Sequence, residues 1–162
     1  MSDKLIITIG RECGSGGRHI GQKLAEEMGV KCYDKELLTL AAKKSGLCRE
    51  LFETHDEKPT SSFLYSLVMD TYSLGYTNSA YMDMPINHKI FLAQFDTIKQ
   101  LASEESCVII GRCADVILKD YHPLNLFIYA DMEAKVERCI RRAPEEEHLT
   151  RNEIERMIKQ VD

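Results

Sequence analysis

A short apolar segment that runs directly into clustered glycines is the feature that most constrains the fold. Residues 4–9 read KLIITI, a β-branched run typical of a buried strand. Four of the nine glycines lie between Gly10 and Gly17. Apolar residues spaced by four then predict a helix: Ile20, Leu24 and Met28. This order favours a loop whose backbone N–H groups bind an anion such as phosphate, over a turn that only permits close strand–helix packing.

The rest of the chain repeats the alternation of apolar strands and helices. Short apolar segments that suit buried strands recur at residues 31–33, 106–111 and 124–130. Helical patterns cover residues 34–46, 87–105, 112–120, 131–143 and 150–162. Such alternation predicts an α/β fold with a parallel sheet and helices on both faces. Ligands of these sheets bind at the carboxyl ends of the strands, so the residues that follow each strand are the site candidates.

Composition narrows the class of protein further. A length of 162 residues suits a single domain, and a net charge of −5 argues against a broad nucleic-acid-binding surface. No apolar run is long enough to cross a membrane, and no signal peptide is visible at the N-terminus. The six cysteines form no CxxC pair and no zinc spacing. These features predict reduced thiols in a cytoplasmic protein.

The glycine loop departs from the common phosphate-binding pattern GxxxxGK[ST]. Aligning GSGG with the end of that pattern puts Gly17 at the position of the lysine, and no serine or threonine follows to hold Mg²⁺. Arg18, assisted by Arg11, is the expected source of the missing positive charge, because guanidinium groups match phosphate well. Ser15 is the nearest hydroxyl that could replace the metal ligand.

Two further candidate site residues come directly after predicted strands. Arg112 comes directly after the strand at 106–111, where it could contact phosphate or begin a solvated helix. Asp34 follows the strand at 31–33, where it could cap the next helix or meet a substrate or a metal. The carboxylate that often ends the third strand and holds Mg²⁺ through water is absent, because Ile110 stands there.

Arginines are concentrated near the end of the sequence. Arg138, Arg141 and Arg142 share one helix face, and two more follow on the last predicted helix, Arg151 and Arg156. A solvated pair of charged helices and a lid that closes on phosphates explain this pattern equally well.

Taken together, these segments resemble the nucleoside monophosphate kinases, and among them the cytidylate kinase-like family. The stretch ITIGRECGSGGRHIGQKLAEEMGVKCYDKELL resembles the family's first strand, P-loop, helix and acidic turn. VIIGRCADVIL is similar to the strand whose Gly-Arg pair contacts the acceptor phosphate, and LNLFIYADMEAKVERCIRR to the segment that leads into the lid. The resemblance implies a P-loop nucleoside-kinase-like fold over residues 1–162 and transfer of the ATP γ-phosphate, with Mg²⁺, to CMP or dCMP.

The resemblance also implies roles for individual residues. The ATP phosphates would be bound by the loop residues Gly10, Arg11, Cys13, Gly14, Ser15, Gly16, Gly17 and Arg18. Asp34 and Arg112 would bind the acceptor, and Ser15 or Asp34 could contact Mg²⁺. The charge that develops during transfer would be neutralised by Arg18, Arg112, Arg138 and Arg142, with Arg151 as a further candidate.

Three expectations concern regions rather than residues. Residues 47–85 would form the acceptor-binding insertion, and 138–156 the lid. The fifth strand and closing helix of such kinases have no counterpart before Asp162. Either the sequence is a piece of a longer chain, or the sheet is completed in another way, such as by a partner chain in a homo-oligomer, since an open edge favours association. Two alternatives remain: a nucleotide-binding regulatory module that has lost catalysis, and a kinase of another small phosphate acceptor.

Overall fold

The computed structural model describes residues 4–34, 37, 39–41, 43, 86–142 and 150–162. Backbone contacts divide the chain into two compact units, one formed by Met1–Asp34 with Glu104–Asp162 and the other by Lys35–Ser103. All candidate residues of the glycine loop and the arginine segments lie in the first unit. The expected acceptor insertion at 47–85 and residues 143–149 of the expected lid lie outside the described residues.

Strands and helices alternate as the sequence predicts. In chain order the described elements are β1 (Ile6–Arg11), α1 (Gly17–Met28), β2 (Lys31–Tyr33), α2 (Ile86–Glu104), β3 (Cys107–Ile110), α3 (Ala114–Ile117), a 3-10 turn (Lys119–Tyr121), β4 (Leu124–Ile128), α4 (Met132–Arg142) and α5 (Arg151–Val161). The prediction of a mixed α/β fold is therefore confirmed.

The four strands form one parallel sheet in the order β2-β3-β1-β4. Ile7 of β1 pairs with Val108 of β3 on one side and with Leu124 of β4 on the other. In the next register position the Thr8 hydroxyl donates to Asn125 Oδ1 at 2.6 Å. Because β1 is central, its carboxyl end lies between the carboxyl ends of β3 and β4, where a ligand of a parallel sheet binds.

Helix α1 approaches the sheet closely through Gly21. A Cβ atom on this glycine would lie 2.8 Å from Ile9 Cδ1 and 2.9 Å from Ile110 Cδ1, which are closer than ordinary contacts. Ala25, one turn later, is buried in the same cluster with Ile7 and Val108. The small residues on this face therefore place the N-terminus of α1 directly against the ends of β1 and β3.

Strand β4 differs from the prediction of a fully buried strand over residues 124–130. Leu126 and Ile128 pack against the core, but Leu124 is 53% exposed, Phe127 64% and Tyr129 75%. In the described part of the chain β4 pairs only with β1, so it is an edge strand of the sheet. A continuous apolar run predicts burial on both faces, and here the structure buries one of them.

Local backbone geometry shortens the helix predicted at 112–120. Arg112 and Cys113 both take the left-handed conformation, with φ of 57° and 52°, so α3 begins only at Ala114 and gives way to the 3-10 turn.

The last helix agrees with its prediction. Thr150 caps α5 and forms a capping box with Glu153.

The described part of the second unit consists mainly of α2. The apolar residues Ile90, Phe91, Phe95, Ile98 and Leu101 predict one apolar face of this helix, and all of them are buried except Phe91, which is half-buried. Most of the helix predicted at 34–46 is not described, although residues 37, 39–41 and 43 are helical. Among the described helices, none has the length and apolar character needed to cross a membrane.

Candidate functional site

The glycine loop turns around the backbone carbonyl of Glu12. That oxygen accepts the Ser15 N–H at 3.2 Å and the Ser15 hydroxyl at 2.8 Å. The N–H of Glu12 donates to the Ile128 carbonyl of β4 at 3.0 Å, and the Ser15 hydroxyl accepts from Gly17 N at 3.4 Å. These bonds fix both ends of the turn, so the loop leaves β1 and enters α1 in a defined conformation.

Two glycines give the loop its shape. Gly14 and Gly16 have φ of 72° and 91°, which are left-handed values that cost other residues free energy. Gly16 is the N-cap residue of α1 and has no side chain to occupy the helix N-terminus. The first turn of α1 also contains no acidic residue. The positive end of the helix dipole is therefore left to attract an anion.

Arg11 explains why a lysine is absent at residue 17. A Cβ atom on Gly17 would lie 2.6 Å from Arg11 Cβ and 3.2 Å from Arg11 Cγ. The guanidinium of Arg11 lies against the end of β3, where a Cβ on Gly111 would be 2.1 Å from Nη1. Gly111 itself has φ of 71°. The Arg11 side chain thus fills the space beside Gly17 and carries a positive charge from β1 to the neighbouring strand end.

A second charged group lies at the ends of β2 and β3. The buried carboxylate of Asp34 contacts two arginines: Arg18 Nε reaches Oδ2, and Arg112 Nη1 lies 3.5 Å from Oδ1. Arg112 also donates from Nη1 to the Ile110 carbonyl at 3.4 Å. The Asp34 and Arg112 side chains are each only 6% exposed, whereas Arg18 is 38% exposed. One carboxylate therefore holds two guanidinium groups at the ends of β2 and β3.

Helix α4 faces the glycine loop with Arg138. Its Nη1 donates to the Gly14 carbonyl, and its Cζ lies 3.4 Å from the position that a Cβ on Gly16 would occupy. The other arginines of the expected lid are placed differently. Arg142 is exposed at the end of α4, and Arg151 pairs with Glu133 at 3.2 Å on the exposed surface of α4 and α5.

Two residues outside the loop contact it although the sequence did not predict them, namely Lys135 and Asp162. Lys135 Nζ lies 2.7 Å from Glu12 Oε2 and 2.6 Å from Asp162 Oδ2, although Lys135 is only 5% exposed. Asp162 Oδ1 in turn accepts the N–H of Cys13 at 2.6 Å. Hydrogen bonds to the two carboxylates raise the pKa of Lys135. The sequence did contain a signal for Lys135. It precedes Arg138 by three positions, so both side chains lie on the same face of the helix.

The expected magnesium ligands already have protein partners. The Ser15 hydroxyl bonds to two backbone groups of its own loop, and both oxygens of Asp34 face arginines. Among the described residues, no three His, Cys, Asp or Glu side chains are placed to hold a metal ion. Ser15 and Asp34 would have to share or release these partners to bind Mg²⁺.

The glycine loop and the Asp34 carboxylate with its two arginines lie at the carboxyl ends of adjacent strands of an α/β sheet. The model of the cytidylate kinase-like family matches residues 6–162, and the chain belongs to that family. One solved structure, of an uncharacterised protein from Eubacterium ventriosum ATCC 27560, is similar with a TM-score of 0.60 and 29% sequence identity. The similarity covers 98% of this chain and 71% of that one. No curated protein matches the chain.

Proposed function

We propose that the protein transfers the γ-phosphoryl group of ATP to a nucleoside monophosphate, with CMP or dCMP as the expected acceptor. The observation that carries this proposal is the placement of the glycine loop beside two arginines held by one carboxylate. The glycine loop follows β1, and Asp34, which contacts both Arg18 and Arg112, lies at the ends of β2 and β3, of which β3 is the neighbour of β1. A donor phosphate and an acceptor phosphate need such adjacent sites. Membership of the cytidylate kinase-like family supports the same reaction class.

In this proposal the glycine loop binds the donor. Backbone N–H groups between Gly14 and Arg18, apart from those of Ser15 and Gly17 that bond within the loop, and the N-terminus of α1 bind the ATP phosphates. Arg11 and Arg18 supply the charge that a lysine provides in other phosphate-binding loops, since Arg11 occupies the space beside Gly17. Arg138 lies over the loop, where it neutralises charge on the transferred group.

Arg112 is the proposed ligand of the acceptor phosphate. Its left-handed backbone turns the side chain back along β3, where Asp34 holds it in place. Fixing the guanidinium in advance reduces the entropy cost of binding and orients the acceptor oxygen toward the donor.

Phosphoryl transfer depends mainly on positioning and charge neutralisation, so few groups need to act chemically. The oxygen of the acceptor phosphate attacks the γ-phosphorus as the bond to the leaving ADP oxygen breaks. Arg112 aligns the attacking group, while Arg18, Arg138 and Arg142 neutralise the charge that spreads over the transferred oxygens. Magnesium carried by ATP would supply further neutralisation. Closure of the arginine-bearing segment would exclude water and limit ATP hydrolysis.

A nucleotide-binding module without catalysis is the second candidate. Gly17 replaces the lysine, Ile110 ends β3 where a carboxylate often stands, and the Ser15 hydroxyl is engaged within the loop. These three features argue more strongly against kinase activity than against nucleotide binding. The arginine over the loop favours the kinase, because binding alone does not require charge near the transferred group.

One experiment separates the candidates. Purified protein is incubated with Mg·ATP and a panel of ribonucleoside and deoxyribonucleoside monophosphates, and ADP formation is followed with a no-acceptor control. ADP formation that depends on CMP or dCMP supports the proposal. Measured ATP binding without transfer to any acceptor would favour the binding module, and transfer only to a different phosphate compound would identify another kinase.

A further inference from the structure

The buried ammonium of Lys135 lies at the centre of a charged group that the proposed reaction does not use directly. We call Lys135, Glu12 and Asp162 the Lys135 cluster. The ammonium contacts both carboxylates at 2.7 and 2.6 Å, and only 6% of the lysine side chain is exposed. Its members come from three places: the glycine loop, α4 and the residue after α5.

Each carboxylate of the cluster is connected to the backbone of the loop. Glu12 belongs to the loop, and its carbonyl oxygen is the acceptor around which the turn closes. Asp162 accepts the N–H of Cys13 through Oδ1 while Oδ2 contacts Lys135. One ammonium therefore holds two consecutive loop residues, one through its side chain and the other through a bridging carboxylate.

Packing reinforces this connection. A Cβ atom on Gly14 would lie 2.9 Å from the Lys135 carbonyl and 3.0 Å from Cys139 Sγ, so the loop rests directly on α4. Cys13 and Cys139 both pack against the apolar cluster of Val136, Ile154 and Ile158, which joins α4 to α5. The first half of the loop is thus fixed by α4 and α5 in addition to its own hydrogen bonds and glycines.

We infer that Lys135 is a positioning residue that sets the phosphate-binding shape of the glycine loop by bridging Glu12 and Asp162 and offsetting part of their negative charge. Direct binding of phosphate by Lys135 is disfavoured, since the ammonium is buried and two of its donors already face carboxylates. The inference rests on the proposed function only in taking ATP as the ligand of the loop. Placement of α4 would then control nucleotide affinity, because the same helix carries Arg138 to the loop.

Removing the ammonium leaves two carboxylates close together beside a loop that must accept phosphates. Lys135→Met is therefore expected to weaken ATP binding by about tenfold or more, as for other buried ion pairs that lose one partner. Lys135→Arg keeps the charge and should retain more affinity than Lys135→Met. A triple variant with Lys135→Met, Glu12→Gln and Asp162→Asn removes all three charges, and should recover most of the lost affinity if neutralisation is the role of Lys135.

The test measures ATP binding by titration calorimetry, and hydrogen exchange of the loop amides in protein without ligand. Lys159→Met is the matched control, because Lys159 forms an exposed ion pair with Glu155 on α5. We expect faster exchange at residues 12–17 in Lys135→Met, slower exchange again in the triple variant, and no change in the control. Unchanged exchange in Lys135→Met overturns the inference. Weak ATP binding by the triple variant, equal to that of Lys135→Met, would instead assign Lys135 a direct contact with phosphate and also overturns it.

The two measurements keep this inference separate from the proposed function. A wild-type protein that binds ATP but transfers no phosphate contradicts the kinase, while the exchange and binding data on Lys135 still stand. A wild-type protein that transfers phosphate, together with a Lys135→Met variant of unchanged affinity, contradicts the role of Lys135 alone.

Discussion

Replacing Gly14 by alanine tests whether the glycine loop is shaped by its contact with α4. At φ of 72° a non-glycine residue costs about 1–2 kcal/mol. The new Cβ would also lie 2.9 Å from the backbone oxygen of Lys135, which cannot move without shifting the helix. Forced packing of this kind costs about 1–3 kcal/mol. The sum predicts that Gly14→Ala lowers the free energy of unfolding by roughly 2–5 kcal/mol.

Gly29→Ala provides a matched control for this prediction. Gly29 has a similar φ of 65°, but nothing lies within 4 Å of its Cβ position. Its substitution therefore carries the backbone cost alone, about 1–2 kcal/mol. Urea unfolding followed by circular dichroism gives both free energies, and ATP titration gives both affinities. A Gly14→Ala protein as stable as Gly29→Ala, with ATP affinity unchanged, would refute the reasoning that α4 supports the loop.

Three further predictions concern other parts of the first unit. Arg112→Ala should raise the KM for the nucleoside monophosphate and leave the KM for ATP nearly unchanged, with exposed Lys119→Ala as the control; equal changes in both constants would argue against an acceptor role. Burial raises the pKa of Cys107 to about 11, so the thiol ionises at a lower pH in the unfolded protein than in the folded protein. The free energy of unfolding therefore falls as pH rises from about 9 to 11. Cys107→Ala should therefore make the unfolding free energy less steep over this range, by roughly 2 kcal/mol in total, and an identical slope in both proteins would contradict it. Thr150→Ala removes the capping box with Glu153 and should lower the unfolding free energy by about 1 kcal/mol in urea titrations, whereas Thr150→Ser should be near neutral.

The sequence predicted the features that depend on neighbouring residues. The β-branched run before Gly10 and the apolar spacing after Gly17 were enough to predict β1, the loop and α1. The helix predicted over residues 150–162 was found for the same reason, since its start is a capping box of Thr150 and Glu153 that forms within four residues. Sequence patterns predict the structure correctly where the backbone and the nearest side chains determine the conformation.

Features that depend on distant contacts could not be predicted in this way. The sequence showed glycine at residue 17, but only the fold shows that the Arg11 side chain fills the adjacent space. In the sequence Lys135 is an ordinary helical lysine, and only the fold shows that α4 brings it into contact with Glu12. The apolar residues of β4 suggested burial on both sides, whereas the strand order puts β4 at an edge of the described sheet. For Lys135 and β4 the deciding contact is with residues far away in the sequence, and for Gly17 it depends on how the loop turns back toward Arg11.

Transfer of labelled phosphate from γ-labelled ATP to CMP tests the central proposal most directly. Wild-type protein, CMP and Mg·ATP are mixed, and the nucleotides are separated to locate the label. Kinase activity predicts labelled CDP that increases with time and depends on CMP, at a rate strongly reduced by Arg112→Ala. Label that stays in ATP across all nucleoside monophosphates, in protein shown to bind ATP, would contradict the proposal.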